Sequence, residues 1–327
     1  MTWMVTGGAG YIGAHVVRAL QDAGMPAVVL DSLATGHRSF VPEAVPFIEA
    51  DINDTEAVRA ALVEHRVTGV IHVAGFKYAG VSVQQPLHTY RVNVTGTASL
   101  LEAMQSAGVE RMVFSSSAAT YGTPDVDLVT EGTATAPESP YGESKLIGEW
   151  LLANQGRAAG LRHTSLRYFN VVGSGDVGLP DTSPHNLFPL VFDALVAGRT
   201  PRIYGDDYPT DDGTCVRDYI HVADLALAHV AAARRLQAGE PVEPVYNLGS
   251  GQGTSVRQIM DTAAAVTGID FTPEVHDRRP GDPARIVADG ALAARDLDWR
   301  MRHSLEEMVA SAWAARQAWE AASSASR

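Results

Sequence analysis

The stretch WMVTGGAGYIGAHVVRALQDAG, which begins at Trp3, constrains this chain more than any other. Trp3 to Thr6 has the apolar pattern of a short buried strand, and from Tyr11 onward apolar residues recur at helical spacing. Four glycines, Gly7, Gly8, Gly10 and Gly13, fill the turn between them. A strand that enters a helix through so tight a turn is the first half of a β–α–β unit, whose parallel strands need helices on both faces. The same glycines let backbone N–H groups approach a phosphate at the helix N-terminus. Two registers overlap here. Gly8, Gly10 and Gly13 spell G-x-G-x-x-G, whereas Gly7, Gly10 and Gly13 spell G-x-x-G-x-x-G. Both predict a dinucleotide, but only the chemistry coded elsewhere chooses between them.

The alternation continues. MPAVVLD, VPFIEADI, GVIHVAG, RMVFSSS and HTSLRYFN read as strands, with helices over TEAVRAALVEHR, over RVNVTGTASLLEAMQSAG and from Pro140 onward. This is the pattern of an α/β, doubly wound parallel sheet of Rossmann type. After Asn170 the run VVGSGDVGLPDTSPHN reads as a loop and domain crossing. The expected division is a dinucleotide-binding domain over 1–171 and a smaller mixed α/β substrate domain over 172–327. A segment near 216–250, including PVYNLGSG, is expected to return to the first. The final ASSASR reads as a frayed tail.

With 327 residues and 46% hydrophobic content, the chain can bury a large core. No uninterrupted apolar run reaches about 18 residues, so neither a membrane span nor a signal peptide is expected, and a cytoplasmic location follows. A lone Cys215 excludes an intrachain disulfide, and the histidines and cysteine form no metal-ligand spacing, so no metal is expected. The net charge of −13 argues against nucleic acid or an anionic membrane as partner. It also means that a phosphate ligand needs local attraction, from helix N-termini and individual arginines.

Asp31 ends the second strand, eighteen residues beyond Gly13, where an acid accepts hydrogen bonds from an adenosine ribose and repels a 2′-phosphate. That favours NAD over NADP. Asp51 and Ile52 close the third strand and are placed to bracket the adenine. Val73, Ala74, Gly75, Phe76 and Lys77 close the fourth, under the second ribose.

Three further segments supply the chemistry: FSSSAATYG, SPYGESK and LRYFN. Ser139 caps a helix that Pro140 opens, so Tyr141 and Lys145 share one face of its first turns. Only two lysines, Lys77 and Lys145, stand among twenty-five basic residues, which makes a chance Tyr-x-x-x-Lys match rare. A phenol of pKa about 10 is a poor base at neutral pH. A cation ~4 Å away is worth on the order of 4 kcal/mol at an effective dielectric of ~20, enough to bring it towards neutrality. Ser117, at the end of the preceding strand, is placed to hydrogen-bond the same reacting oxygen. The set suits removal of a hydroxyl proton by Tyr141 as hydride leaves the carbon for NAD.

On VTGGAGYIG, FSSSAATYG and SPYGESK the chain resembles the extended short-chain dehydrogenase/reductase family. SVQQP, LRYFN, HNLFP, YGDDYPTDDGTCVRDYIHV, YNLGSG and RRPGD extend the match nearly end to end, to its UDP-glucose 4-epimerase (UDP-galactose 4-epimerase) branch. The resemblance implies a tightly held NAD, a UDP-sugar substrate, a transient 4-keto sugar and a homodimer. It implies that Tyr141, Lys145 and Ser117 are catalytic. It adds Tyr11, Ile12, Ser32, Leu33, Thr35 and Gly36 to the cofactor contacts, together with Asn93, Ser115, Tyr168 and Phe169. Asn170, Asn186, Leu187, Tyr204, Arg217, Arg279 and Asp282 would hold the UDP-sugar with Lys77, Ser117 and Tyr141. Arg217 and Arg279 are fork donors of the kind an acidic protein needs for a diphosphate.

The glycine register that accompanies the Tyr–Lys pair in that family is Gly7, Gly10 and Gly13, which leaves Gly8 as a coincidental match. Ala119 replaces a threonine, and Val171 a proline, of the family pattern. Ile286 stands where some members have an aromatic gate, so that a smaller side chain would admit N-acetylated hexoses. Sister enzymes stay open: a UDP-N-acetylhexosamine 4-epimerase, or a UDP-uronate epimerase or decarboxylase. Ser117-Ala118-Ala119 lacks the acid pair a 4,6-dehydratase of this family needs. A non-catalytic NAD-sensing regulator has no use for the Tyr–Lys pair.

Overall fold

The computed structural model describes residues 1–279 and 282–325. In chain order its first part runs β1 (Thr2–Thr6), α1 (Tyr11–Asp22), β2 (Ala27–Asp31), β3 (Phe47–Glu49), α2 (Thr55–Glu64) and β4 (Val67–His72). There follow α3 (Ala79–Gln84), α4 (Pro86–Tyr90), a π-helical stretch Arg91–Thr95, α5 (Gly96–Ala107), β5 (Arg111–Ser115), α6 (Pro140–Ala159) and β6 (Arg162–Tyr168). The second part runs β7 (Asn170–Val172), α7 (Leu187–Val196), β8 (Arg202–Tyr204), β9 (Val216–Arg217), β10 (Tyr219–His221), α8 (Val222–Ala238) and β11 (Val245–Leu248). It ends with β12 (Thr254–Ser255), α9 (Val256–Thr267), β13 (Glu274–His276), β14 (Arg285–Ile286), α10 (Ala291–Asp296) and α11 (Leu305–Ala325).

The main sheet has seven strands in the order β11-β6-β5-β4-β1-β2-β3, and every pairing in it is parallel. Each face is buried under a separate apolar cluster. Leu20 of α1 and Leu225 of α8 pack with Val5 and Val29 on one face; Val58 of α2 and Leu100 of α5 pack with Met4 and Leu30 on the other. Neighbouring residues of one strand thus enter opposite cores, as the pleat requires. The order reverses between β1 and β4, and that switch point opens the crevice in which such sheets bind ligands. β11 arrives late in sequence and lies beside β6.

A third cluster, with Phe188, Phe192, Ile203, Ile259 and Met308, forms the core of the later elements. α11 also reaches back to the first part. Trp319 packs on a small cluster of Ala14, Phe40 and Leu179. Ala322 to Ala325, read as a frayed tail, continue this helix because the segment carries no helix breaker; Ser326 and Arg327 lie outside the described residues. Pro280 and Gly281 of the RRPGD motif also lie outside them.

Candidate active site

The turn after β1 is shaped by backbone crowding. Gly7 has φ +72°, and a Cβ there would lie 2.6 Å from the Ala74 amide nitrogen. A Cβ on Gly13 would lie 2.0 Å from the Gly7 carbonyl oxygen, whereas one on Gly10 meets only that same carbonyl, at 3.3 Å. Gly8, outside that register, is set by packing instead: its Cβ would lie 2.7 Å from the Val29 side chain of β2. Gly10 caps α1 without any side-chain hydrogen bond. The first turn, with Tyr11 and Ile12, therefore offers its N–H groups to an anion.

Asp31 is nearly buried and organises this edge. Its Oδ2 accepts from Ala9 N at 2.9 Å and its Oδ1 from Leu33 N at 2.8 Å, which holds Leu33 at φ +56°. Ser32 to Gly36 thus lie against the glycine turn, where a Cβ on Gly36 would meet Ala9 at 3.0 Å and His37 N donates to the Ala9 carbonyl at 2.8 Å. One lone pair on each Asp31 oxygen remains available to a ribose. Thr35 is an exposed member of this loop. Asp51 accepts from both nitrogens of Asn53 at 2.8 Å, while Ile52 is tucked into the core against Gly96 and forms a floor there.

The loop Val73–Lys77 is anchored from the π-helical stretch, which turns Asn93 inward. Asn93 accepts from Phe76 N at 2.7 Å, and its amide donates to Phe76 O at 3.0 Å and to Ser144 Oγ at 2.8 Å. A chain of hydroxyl and imidazole groups lies behind it. Thr97 Oγ1 donates to Asn93 O at 2.6 Å, so it accepts from His72 Nε2 at 3.1 Å, and His72 Nδ1 accepts from Thr6 at 2.7 Å. Burial, and then the Lys145 charge, lower the His72 pKa to about 3, so the ring is neutral. The end of β1 and the helix that carries Tyr141 are tied together through it.

α6 begins as its sequence requires. Ser139 Oγ accepts from Gly142 N at 3.2 Å, Pro140 takes the first position, and Gly160 ends the helix at φ +75°. Tyr141 N is further held by Ser82 Oγ at 3.1 Å. One turn on, Lys145 is 5% exposed and donates to the Ser115 carbonyl at 2.9 Å, its one hydrogen bond among the described residues. Two of its three N–H donors stay free for a ligand. Ser115 Oγ donates to His229 Nε2 at 2.8 Å, because His229 Nδ1 donates to Leu225 O. Ser117 Oγ accepts from Ala119 N at 3.1 Å, which fixes its rotamer at the mouth of the site.

Electrostatically the pair differs from the sequence-based expectation. Lys145 Nζ lies 5.9 Å from the Tyr141 ring centroid, so the ammonium stands beside the phenol, but burial outweighs it. Burial raises the Tyr141 pKa, and the hydrogen bond with Ser117 partly lowers it; the net direction within the chain is upward. Burial lowers Lys145 to about 8, against the opposing pull of Glu149. Tyr168, beside them, is pushed up by burial.

In front of this group opens a cleft of about 410 Å³. Lys77, Ser117, Tyr141 and Asn170 line it from the sheet side. Asn186, Leu187, Tyr204, Arg217, Arg279 and Asp282 line it from the later elements, so all ten expected substrate residues share one cavity with Tyr11, Ile12, Tyr168 and Phe169. Asn186 precedes α7 without capping it, since its side chain donates to Asp181 at 2.7 Å. Arg217 is held by the Pro283 carbonyl at 2.7 Å and faces Asp282 at 3.5 Å. The Arg279 guanidinium lies 4.0 Å over the Tyr204 ring. An open helix terminus and two guanidinium groups stand together here, donors of the kind a diphosphate accepts. Ile286, expected as a gate, pairs with Arg217 in β14 and is not among the lining residues.

Cys215, Tyr219, His185, Phe188 and Arg316 also line the cleft. Tyr219 was within reach of the sequence, two residues beyond Arg217. Arg316 was not, because α11 has no motif and reaches the cleft only through tertiary packing.

The site fits a bound dinucleotide: an uncapped helix terminus behind crowded glycines, an acid at the end of β2, and a buried ammonium with free donors. Residues 3–249 match the model of the NAD dependent epimerase/dehydratase family, and the chain belongs to that family. UDP-glucose 4-epimerase from Azospirillum brasilense is 44% identical over 314 residues, covering 94% of this chain and 90% of that one. The structure of UDP-glucose-4-epimerase from Stenotrophomonas maltophila, with bound NAD and formylated UDP-arabinopyranose, superposes with TM-score 0.94 at 40% identity, covering 98% and 99% of the two chains. That of the Brucella ovis enzyme in complex with NAD superposes with TM-score 0.92 at 41% identity, covering 95% and 97%.

Proposed function

We propose that this chain interconverts UDP-glucose and UDP-galactose by NAD-dependent epimerisation at C4 of the hexose. The observation that carries the reading is the single cleft that Tyr141 and Ser117 share with Arg217 and Arg279, with Lys145 buried behind. NAD, when bound, supplies a reversible hydride acceptor and a positively charged ring. The chain does the rest. Arg217, Arg279 and the start of α7 take the diphosphate, and Asn170 and Lys77 face the sugar. Ser117 hydrogen-bonds the C4 oxygen while Tyr141 takes its proton as hydride leaves C4. Lys145 favours the phenolate, and it holds the ribose with its free donors. The 4-keto sugar turns about its link to the anchored diphosphate and presents its other face. Hydride returns to C4, and Tyr141 gives the proton back to the oxygen.

Asp31 and the loop Ser32–Gly36 serve the adenosine ribose in this reading, and Asp51 and Ile52 the adenine. Val73 to Phe76, Asn93 and Ser115 serve the nicotinamide side. A homodimer, a place in galactose metabolism and a cytoplasmic location accompany the reading. The exposed apolar side chains Val83, Leu87 and Trp150 on α3, α4 and α6 support association, and no helix among the described residues is long and apolar enough to cross a membrane.

The test is direct. Purified protein is denatured and the supernatant assayed for NAD, while native protein is given UDP-galactose with a coupled UDP-glucose dehydrogenase. Released NAD with UDP-glucose formation is expected; NAD present without turnover would overturn the reading.

A further inference from the structure

Beneath the cleft lies a charged pair that the proposed chemistry does not use. Glu149 of α6 and Arg167 of β6 are 6% and 5% exposed, and the guanidinium grips the carboxylate with both Nε, at 2.8 Å, and Nη2, at 2.5 Å. Such a buried pair is weak evidence for stability, since well-packed apolar residues of similar volume do as well or better. Its partners point to another role. Ser116, fully buried, donates its hydroxyl to Glu149 Oε1 at 2.5 Å. The Arg167 guanidinium lies 4.7 Å over the Tyr121 ring, and the Tyr121 hydroxyl donates to Asn247 at 2.7 Å. Ser116 and Tyr121 flank Ser117 and the short helical turn Ala118–Thr120. The pair therefore holds both ends of the segment that carries Ser117. Ser115, whose carbonyl receives Lys145, is the next residue back. Glu149 itself lies one turn beyond Lys145 on α6, four residues apart and on the same face.

We propose that Glu149 and Arg167 are positioning residues for hydride transfer: they clamp the Ser115–Tyr121 segment to α6, so that Ser117 and the acceptor of Lys145 keep their register with Tyr141. This rests on the reading of Tyr141, Lys145 and Ser117 as the reacting group. The clamp also has an electrostatic side. The ionisable groups facing Lys145 are Tyr141 and Glu149 on α6 and His72 on β4, with Tyr168 of β6 behind Tyr141. His72 is neutral and both tyrosines are pushed upward by burial, which leaves Glu149 as the anion that keeps the ammonium charged. Glu149 in turn faces Arg167 and His163.

Three variants test this on the full chain with its NAD. Glu149→Gln keeps the shape and removes the charge; Ser116→Ala removes only the hydroxyl grip. Glu149→Met/Arg167→Met replaces the pair by apolar side chains and guards against a folding defect. A misplacement of about 1 Å costs on the order of 100-fold in rate. Glu149→Gln is expected to lower kcat by about 10- to 100-fold with KM and bound NAD near wild type. Its alkaline limb is expected to move to lower pH, because Lys145 loses its proton more easily. Ser116→Ala is expected to lower kcat without moving that limb, and the double variant to melt near the wild-type Tm yet remain slow. If Ser116→Ala and the double variant both keep wild-type kcat and pH profile, the pair is packing only and the proposal fails. Tyr141→Phe, run alongside, separates the two failures: an active Tyr141→Phe overturns the reaction assignment, whereas an inactive one beside unaffected clamp variants overturns only the clamp.

Discussion

Replacing Trp319 by Ala removes a contact far from the reacting group and is expected to loosen the cofactor. Trp319 stands edge-on to His37 at 5.2 Å and to Phe40 at 5.8 Å, both at the end of the loop that follows Asp31. His37 N is bonded to the Ala9 carbonyl of the glycine turn, and Phe40 packs on Ala14 of α1 and Leu179 of the crossing loop. One side chain of α11 thus closes a junction of four segments around the expected adenosine end of NAD. Two aromatic contacts at ~0.5–1.5 kcal/mol each total about 2 kcal/mol. If they are made only when the loop is closed on the cofactor, their loss weakens NAD binding by about 30-fold. The assay is the fraction of NAD that stays with the protein through repeated gel filtration, followed by recovery of activity on adding NAD. Trp319→Ala is expected to lose NAD on filtration and regain activity when it is supplied. Wild-type retention at a lowered Tm would show that Trp319 supports the fold without restraining the cofactor, and would refute the reasoning.

Other outcomes follow from the same geometry. Lys145→Met removes a cation of the kind worth on the order of 3 kcal/mol to a phenolate ~5 Å away at an effective dielectric of ~20, so the acid limb of kcat/KM should move upward by about 2 pH units; an unmoved limb would show that the cation does not set the base. In the wild type, activity should decline on the alkaline side once Lys145, with its pKa lowered to about 8, loses its proton, a sign that a pH–rate profile checks. Gly13→Ala places a Cβ 2.0 Å from the Gly7 carbonyl and should abolish NAD retention, measured after denaturation; Gly10→Ala, with 3.3 Å of room, should fold but bind NAD poorly. If the Arg217 fork serves the diphosphate as proposed, Arg217→Ala should raise KM for the UDP-sugar at least tenfold and leave bound NAD unchanged.

The sequence made some of this legible because the governing interactions are local. Apolar runs of strand length between helical periods lead to a parallel sheet, and the Ser139–Pro140 pair at the start of α6 places Tyr141 and Lys145 on one face through backbone geometry alone. What escaped depends on tertiary approach. Gly8 reads as spare until Val29 is seen against it. The Tyr141 pKa direction reverses once burial enters, because spacing along a helix says nothing of desolvation. Glu149 and Arg167 are eighteen residues apart on different elements, and neither carries a motif. Trp319 lies in a helix whose ending reads as a tail, and its ring partners His37 and Phe40 sit more than two hundred residues away. The two-residue strands β9, β12 and β14 are too short for any periodicity to show, yet they carry Arg217 into the cleft.

The most direct measurement of the central claim is turnover of UDP-galactose by Tyr141→Phe alongside its content of bound NAD. The account predicts NAD at the wild-type level, no formation of UDP-glucose and no absorbance from reduced nicotinamide on adding the sugar nucleotide. Turnover at the wild-type rate by a protein that lacks this hydroxyl would contradict it.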